Sequence, residues 1–215
     1  MKKLSFAFLF ISLTLSSCFK EVVVGSGSKV SEERRVAGTF NEILVKGSID
    51  VQVKQGDSLK IVARDFGNVL PFLTTRISGN RLVIDYDEAW ITNSSGEVTV
   101  TLPRLTGIEI TGSSDVGSIG NFRFDDLLLI VSGSGNINLA GSAKNVNLRV
   151  SGSGDYRAFD MPTDTLRLKI SGSGAAQVTV NKLLDATISG SGDVVFKGNP
   201  SVTSQVTGSG RVRKF

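Results

Sequence analysis

The chain contains no histidine among its 215 residues. This absence removes the commonest general base and every nucleophile that depends on a Ser-His or Cys-His pair. It also removes the usual nitrogen ligand of zinc and of the transition metals. The sequence therefore argues against the commonest hydrolase and metalloenzyme chemistries, and carboxylates are the main catalytic candidates that remain.

Cysteine is nearly absent as well, since Cys18 is the only one. An intramolecular disulfide and a cysteine metal cage are both excluded. Cys18 follows Lys2, Lys3 and an apolar run over residues 4–15, which is shorter than the roughly 20 residues needed to span a bilayer. The letters LSSC at residues 15–18 look like a bacterial lipobox, in which the cysteine is acylated. We predict that Cys18 is the lipid attachment site; the alternative is an ordinary signal peptide that ends near a cysteine.

These features predict three segments. Residues 1–17 form a lipoprotein signal peptide, residues 18–36 form a lipidated N-terminus with a tether and a first strand, and residues 37–215 form the main domain. Acyl chains at Cys18 would hold the protein on a membrane, because each buried CH2 contributes about 0.8 kcal/mol. We therefore expect lipid anchoring at the outer membrane, on the periplasmic or the cell-surface side.

Basic clusters are missing from the mature chain. Without Lys2 and Lys3 the 24 basic residues fall to 22, which face 20 acidic ones. A nucleic-acid-binding surface needs Lys and Arg clustered on one face. No nucleic-acid partner is predicted.

One short motif, a glycine step, is abundant and recurs at nearly regular spacing. Seven copies align: KGSIDV from Lys46, TGSSDV from Thr111, SGSGNI from Ser132, SGSGDY from Ser151, SGSGAA from Ser171, SGSGDV from Ser189 and TGSGRV from Thr207. The last six copies begin 18 to 21 residues apart. A period of about 20 residues that varies slightly indicates a structural repeat with loops of variable length.

The residues before each glycine step alternate between apolar and polar. Val146, Leu148 and Val150 alternate with Asn147 and Arg149, and residues 166–170 and 184–188 repeat the pattern. A period of two is typical of half-buried β-strands. No helical stripe follows Cys18, so the sequence predicts an all-β protein.

Copies of one strand that share a register stack best as parallel neighbours, about 4.8 Å apart. Connections between parallel strands are right-handed by strong preference. The prediction is a single-domain right-handed parallel β-helix with coils of about 20 residues, and about nine such coils would fit the chain length. An antiparallel sandwich is the alternative, because frequent turns would suit it too.

The glycine step itself permits three interpretations. A phosphate loop needs a following helix, and none is predicted. A calcium loop would use the residues that follow the step, which are Asp50, Asp115, Asn136, Asp155, Ala175, Asp193 and Arg211. Ala175 separates Asp155 from Asp193 by two rungs, too far to share an ion at 2.3 to 2.6 Å per ligand. We therefore predict a structural corner with solvated turn residues and no metal site.

Several stretches resemble the "putative auto-transporter adhesin, head GIN domain" family from about Gly25 to the C-terminus. The resemblance is carried by the glycine-step copies and by Phe40 with Ile43, Gln55-Gly56-Asp57, Pro103 and Gly198-Asn199-Pro200, which fall in the family's order. It implies a right-handed β-helix in an exported, often lipid-anchored protein of bacterial envelopes. It implies no catalytic or binding residues.

The densest acidic and aromatic patch covers Asp85, Tyr86, Asp87 and Trp90. Asp85 and Asp87 lie two residues apart on a predicted strand, so their spacing of roughly 6.5 to 7 Å is compatible with a glycosidase pair. Nothing in the sequence predicts the cleft that such a pair needs. These four residues are the candidate ligand contact: either a solvated loop with one packed aromatic, or a platform on which a sugar ring stacks.

Together these observations predict a non-enzymatic envelope lipoprotein that presents a rigid β-helical surface for adhesion, glycan contact or assembly, with no cofactor. The expected partners are the membrane through Cys18, a glycan or protein surface ligand, and a second copy of the chain through the terminal coils. A β-helical polysaccharide-cleaving enzyme and a self-stacking envelope scaffold are the alternatives.

Overall fold

A computed structural model describes residues 21–87 and 89–215, which are almost entirely β-strand. The predicted signal peptide and Cys18 lie outside the described residues. The strands are β1 (Glu21–Val24), β2 (Lys29–Arg34), β3 (Glu42–Gly47), β4 (Asp50–Gln55), β5 (Lys60–Phe66), β6 (Leu73–Ser78), β7 (Arg81–Tyr86), β8 (Ala89–Thr92), β9 (Glu97–Leu102), β10 (Gly107–Gly112), β11 (Asp115–Ile119), β12 (Phe122–Gly133), β13 (Asn136–Asn138), β14 (Gly141–Gly152), β15 (Tyr156–Gly172), β16 (Ala176–Gly190), β17 (Asp193–Lys197), β18 (Ser201–Gly208) and β19 (Arg211–Lys214). A single 3-10 turn at Leu70–Phe72 interrupts them within the described part of the chain.

The first face of the molecule is a parallel ladder in the order β7, β3, β10, β12, β14, β15, β16 and β18. Its register stacks the first glycine of all seven motif copies in one column: Gly47, Gly112, Gly133, Gly152, Gly172, Gly190 and Gly208. The predicted repeat is therefore confirmed as successive rungs of one ladder.

Two further faces complete each coil. The second face is a parallel ladder in the order β9, β4, β11, β13, β15, β16, β17 and β19. The N-terminal halves of β12 and β14 pair on the third face, where Phe124 lies beside Ala143. The predicted parallel β-helix is confirmed as a β-solenoid of about five turns.

The alternation predicted from the sequence sets the core. Val146, Leu148 and Val150 are buried, whereas Asn147 and Arg149 are exposed. The apolar residues of 166–170 and 184–188 are buried in the same way, so stacked Val, Leu and Ile columns form one continuous apolar core. Burial of such side chains contributes roughly 1.5 to 3 kcal/mol each, which makes the columns the main source of stability.

The corner after each first-face strand from β10 onward requires glycine. Gly152 has a φ of 130°, a conformation that side chains rarely adopt, and a Cβ there would overlap the carbonyl oxygen of Gly133 in the coil below. That same carbonyl accepts a hydrogen bond from the Ser153 amide at 2.9 Å. The motif is thus a tight corner that allows close stacking of coils.

The residue after each step forms a hydrogen-bonded ladder of its own. The Oδ1 atom of Asp115 accepts the Asn136 amide at 3.1 Å, that of Asn136 accepts the Asp155 amide at 3.1 Å, and that of Asp155 accepts the Ala175 amide at 2.9 Å. These side chains therefore satisfy backbone donors of the next coil, in addition to lying in a turn. Ala175 interrupts the ladder because its side chain has no acceptor for the backbone amide of Asp193.

Residues 60–102 depart from the simple repeat. After β4 the chain runs away from the next coil, and β5 pairs antiparallel with β9 and with β2, while β6 pairs antiparallel with β7. The chain then returns, so β3 and β4 lie between β7 and β9 on one side and β10 and β11 on the other. We call β1, β2 and β5 to β9 the cap. Because the residues of the cap do not form regular coils, the solenoid has about five turns and not the expected nine or so.

Candidate functional site

The predicted patch at Asp85, Tyr86, Asp87 and Trp90 lies in the cap, on β7, β8 and the link between them. Lys46 Nζ lies 3.4 Å from Asp85 Oδ2. Arg76 Nη1 donates to Asp87 Oδ2 at 2.8 Å, and the Thr74 hydroxyl donates to the same oxygen at 3.1 Å. The two carboxylates thus form ion pairs with different basic side chains, and the structure does not bring them together across a cleft.

Tyr86 points inward, and its hydroxyl donates a hydrogen bond to Asp65 Oδ2. Asp65 is completely buried, and its Oδ1 atom also accepts the Phe66 amide at 2.7 Å and the Ser95 amide at 3.0 Å. Burial and then the bond to Asp65 raise the pKa of the Tyr86 phenol well above its ordinary value. This network fastens β5, β7 and the segment before β9 to one another, so the hydroxyl of Tyr86 has a structural role.

Trp90 is the exposed member of the predicted patch. It lies on β8, which pairs in parallel with β1, and its register partner is Val22. The Trp90 side chain is 67% exposed, and Val22 and Val24 beside it are 64% and 57% exposed. These three side chains form an apolar surface on the outside of the cap.

A polar groove on the second face was not predicted from the sequence. It has a volume of about 420 Å³ and is lined by Gln52, Asp115, Val116, Gly117, Ser118, Asn136, Asn138, Ala140, Arg157 and Asp160. In the outward column of this face Gln52, Gly117 and Asn138 are register neighbours, so the missing side chain at Gly117 opens the depression. The signal in the sequence was the one glycine that breaks a column of larger residues, and it becomes visible only once the register is known.

The groove carries carboxylate, amide and guanidinium groups at its surface. Asn136 Nδ2 donates to Asp115 Oδ1 at 2.8 Å, and Arg157 Nη2 donates to Asp155 Oδ2 at 2.8 Å. These internal bonds hold the side chains in place and leave further donor and acceptor capacity for a polar ligand. Among residues 21–87 and 89–215, no group of three or more acidic residues is arranged to hold a metal ion.

Comparison with known proteins gives a family and a fold. A family model described as "Putative auto-transporter adhesin, head GIN domain" matches residues 39–200. No curated protein matches the chain significantly. In the described residues, no helix has the length and apolar character required to cross a membrane.

Three crystal structures share the fold. A "putative adhesin" from Bacteroides fragilis has a TM-score of 0.73 at 19% identity and covers 90% of this chain and 100% of its own. A "putative adhesin" from Parabacteroides distasonis gives 0.62 at 21% identity, with 91% of this chain and 100% of its own covered. A "putative lipid binding protein" from the same species gives 0.59 at 20% identity, with 91% and 100% covered. At these identities the likeness extends to the fold alone.

Proposed function

Because the chain belongs to the "Putative auto-transporter adhesin, head GIN domain" family, we propose that it is a non-enzymatic lipoprotein of the cell envelope that contacts glycans through its rigid solenoid surface. The family description supports an adhesin-like role. The lipid anchor and the glycan contact are the finer parts of the proposal, and each has its own test.

The lipid anchor is proposed at Cys18, on the strength of the lipobox-like LSSC sequence. Cells that express the full chain are fed an alkyne-tagged palmitate, and the purified chain is assayed for the tag. The wild-type chain should carry the tag and fractionate with the outer membrane. Cys18→Ala should lose both properties. A Cys18→Ala chain that keeps the tag would refute the assignment.

The groove around Gly117 is the observation that carries the glycan proposal. It is a preformed depression on a rigid face, and its amide, carboxylate and guanidinium groups match the paired donors and acceptors of sugar hydroxyls. Rigidity matters because a preorganised site loses little conformational entropy on binding.

Filling the groove tests this proposal. Gly117→Gln places in the depression the same side chain that Gln52 contributes one coil earlier, and we expect loss of binding on a glycan array. Thr203→Gln adds a similar side chain to an exposed strand outside the groove and should leave binding unchanged. Binding that survives Gly117→Gln but is lost in Trp90→Ala would move the contact to the patch at Asp85, Tyr86, Asp87 and Trp90.

The same experiment addresses the enzymatic alternative. Bound polysaccharide is recovered after incubation and analysed for new reducing ends and for unsaturated sugars. We expect neither, because Asp85 and Asp87 are tied to different cations. New chain ends would show that the function is polysaccharide cleavage and not adhesion.

The outermost coil favours a second function, self-stacking into an envelope scaffold. Among the described strands β18 pairs only with β16, and all eight of its residues are exposed. β18 carries no charged side chain, whereas edge strands are commonly protected by charge. Its segment VTSQV, residues 202–206, is nearly symmetric about Ser204, so two copies in antiparallel register would set Val202 against Val206.

Crosslinking tests this second function. In the symmetric register the two Ser204 residues face each other, so Ser204→Cys should give a disulfide-linked dimer on mild oxidation. Ser142→Cys, exposed on the third face, serves as the matched control. A monomer in sedimentation, with equal crosslinking of both variants, would exclude self-stacking.

A further inference from the structure

The apolar surface formed by Val22, Val24 and Trp90 lies on one face of the two-stranded sheet β1–β8. The register pairs Val22 with Trp90 and Val24 with Thr92, so these four side chains project to the same side. More than half of each of the three apolar side chains is exposed. This face carries no charged residue, because Glu21 and Val23 project to the opposite side. An uncharged apolar surface that includes tryptophan suits a partner with an apolar interior and a polar boundary.

The sheet β1–β8 is fixed to the rest of the cap by hydrogen bonds. The Ser26 amide, just after β1, donates to Asn68 Oδ1 at 3.0 Å. Asn68 Nδ2 donates to the Val24 carbonyl at 2.8 Å, which joins β1 to the segment after β5. The apolar surface therefore moves with the domain and not with a free tether.

The position of this surface along the chain limits what can cover it. Val22 follows Cys18 by four residues, and a fully extended chain covers at most about 3.6 Å per residue, so Val22 lies within roughly 14 Å of Cys18. The headgroup region of a leaflet is roughly 5 to 7 Å deep. An acyl group on Cys18 would consequently hold the sheet β1–β8 within reach of the membrane surface.

We propose that Val22, Val24 and Trp90 form a bilayer-contact surface, in which Trp90 enters the boundary between headgroups and acyl chains. The proposal rests on the lipid anchor at Cys18 that is part of the proposed function. Tryptophan is suited to this boundary because its ring is apolar and its N–H group can bond to headgroups or water. The contact would hold the capped end of the solenoid against the membrane and direct the coil of β18 and β19 away from it.

The chain offers a direct probe, because Trp90 is its only tryptophan. The full chain, as purified from the expressing cells, is reconstituted into phosphatidylethanolamine and phosphatidylglycerol vesicles, either unmodified or brominated in the upper part of the acyl chains. We expect Trp90 emission to be quenched about twofold by the brominated lipid, as for a ring at the interface. Vesicle flotation in the same samples reports on the anchor.

The outcomes separate the two proposals. Flotation with quenching supports the contact. Flotation without quenching refutes the contact and leaves the anchor intact. Failure to float refutes the anchor and, with it, the contact. Emission that responds to a soluble glycan and not to brominated lipid would assign Trp90 to glycan binding and overturn the inference.

Variants that keep the fluorophore sharpen the test. Val24→Asp places a charge on the apolar surface and should largely abolish quenching without reducing flotation. Ile119→Asp places a charge at a similarly exposed apolar residue on β11, at 45% exposure, and should leave quenching unchanged. Equal quenching in wild type and Val24→Asp would refute the contact surface.

Discussion

The coils from β10 to β19 and the cap share one apolar core, but different kinds of contact stabilise the two regions. In the coils, each buried residue of the first face stacks on another apolar residue one period away, and hydrogen bonds join equivalent positions of successive rungs. In the cap, antiparallel strands cover the end of the core, and a buried carboxylate, Asp65, joins segments that share no repeat. The coils are therefore specified by a periodic pattern, and the cap by individual long-range contacts.

The glycine corners should show this difference most strongly. Gly152→Ala combines an unfavourable φ with overlap of the Gly133 carbonyl, and we expect a loss of about 4 kcal/mol in unfolding free energy. Gly47 has a φ of 76° at the boundary with the cap, and a methyl group added to its Cα would meet no other atom within 4 Å. Gly47→Ala should cost only about 1 kcal/mol, the cost of the left-handed conformation.

Urea unfolding followed by circular dichroism measures both variants. Gly120→Ala is a second control, because Gly120 also has a positive φ of 72° and open space around it. If Gly47→Ala and Gly152→Ala lost the same stability, close stacking of coils would not be the reason for glycine at the corner.

Two tyrosines, Tyr86 partly buried in the cap and Tyr156 buried in the coils, should respond in opposite directions. Tyr86→Phe in the cap leaves the buried Asp65 without one of its donors, and we expect a loss of about 2 kcal/mol. Tyr156 in the coils is fully buried, its hydroxyl has no hydrogen-bond partner, and burial raises the pKa of its phenol. Tyr156→Phe removes an unsatisfied polar group and should stabilise the protein by about 1 kcal/mol.

Thermal melting of the two variants at neutral pH gives the sign of each effect. Both phenols are neutral there, because their pKa values are raised above the ordinary value, so ionisation does not contribute to the difference. Stabilisation of the protein by Tyr86→Phe would show that the Asp65 network does not hold the cap together.

The side-chain ladder should give the smallest effects. Ala175→Asn supplies a side-chain acceptor for the backbone amide of Asp193 and should stabilise the coils by about 0.5 to 1 kcal/mol. Asp155→Ala removes the acceptor of the Ala175 amide and the ion pair to Arg157, and should cost about 1 kcal/mol. The midpoint of urea unfolding measures both, and a shift of the same sign in the two variants would contradict the ladder.

The sequence predicted the coils well because their determinants are local. The alternation of Val146, Leu148 and Val150 with polar residues identified the strands, and the glycine steps identified the rungs. The cap was not predicted, because the bonds of Asp65 to Tyr86 and Ser95 join residues 21 and 30 positions apart that follow no period. For the candidate site, the sequence located Trp90 but grouped it with Asp85 and Asp87. These two carboxylates pair with separate basic side chains, Lys46 and Arg76.

The sequence by itself determined the all-β class, the stacking register and the position of the glycine corners, because the period and the alternation of residues are properties of short stretches. Tertiary structure alone decided that β3 lies between β7 and β10 and β4 between β9 and β11. It also decided that Gly117 opens a groove and that Val22 and Val24 lie beside Trp90. Each of these depends on which distant strands become neighbours. The strands pair in the arrangement that buries the whole apolar core, and no short stretch of sequence specifies that arrangement.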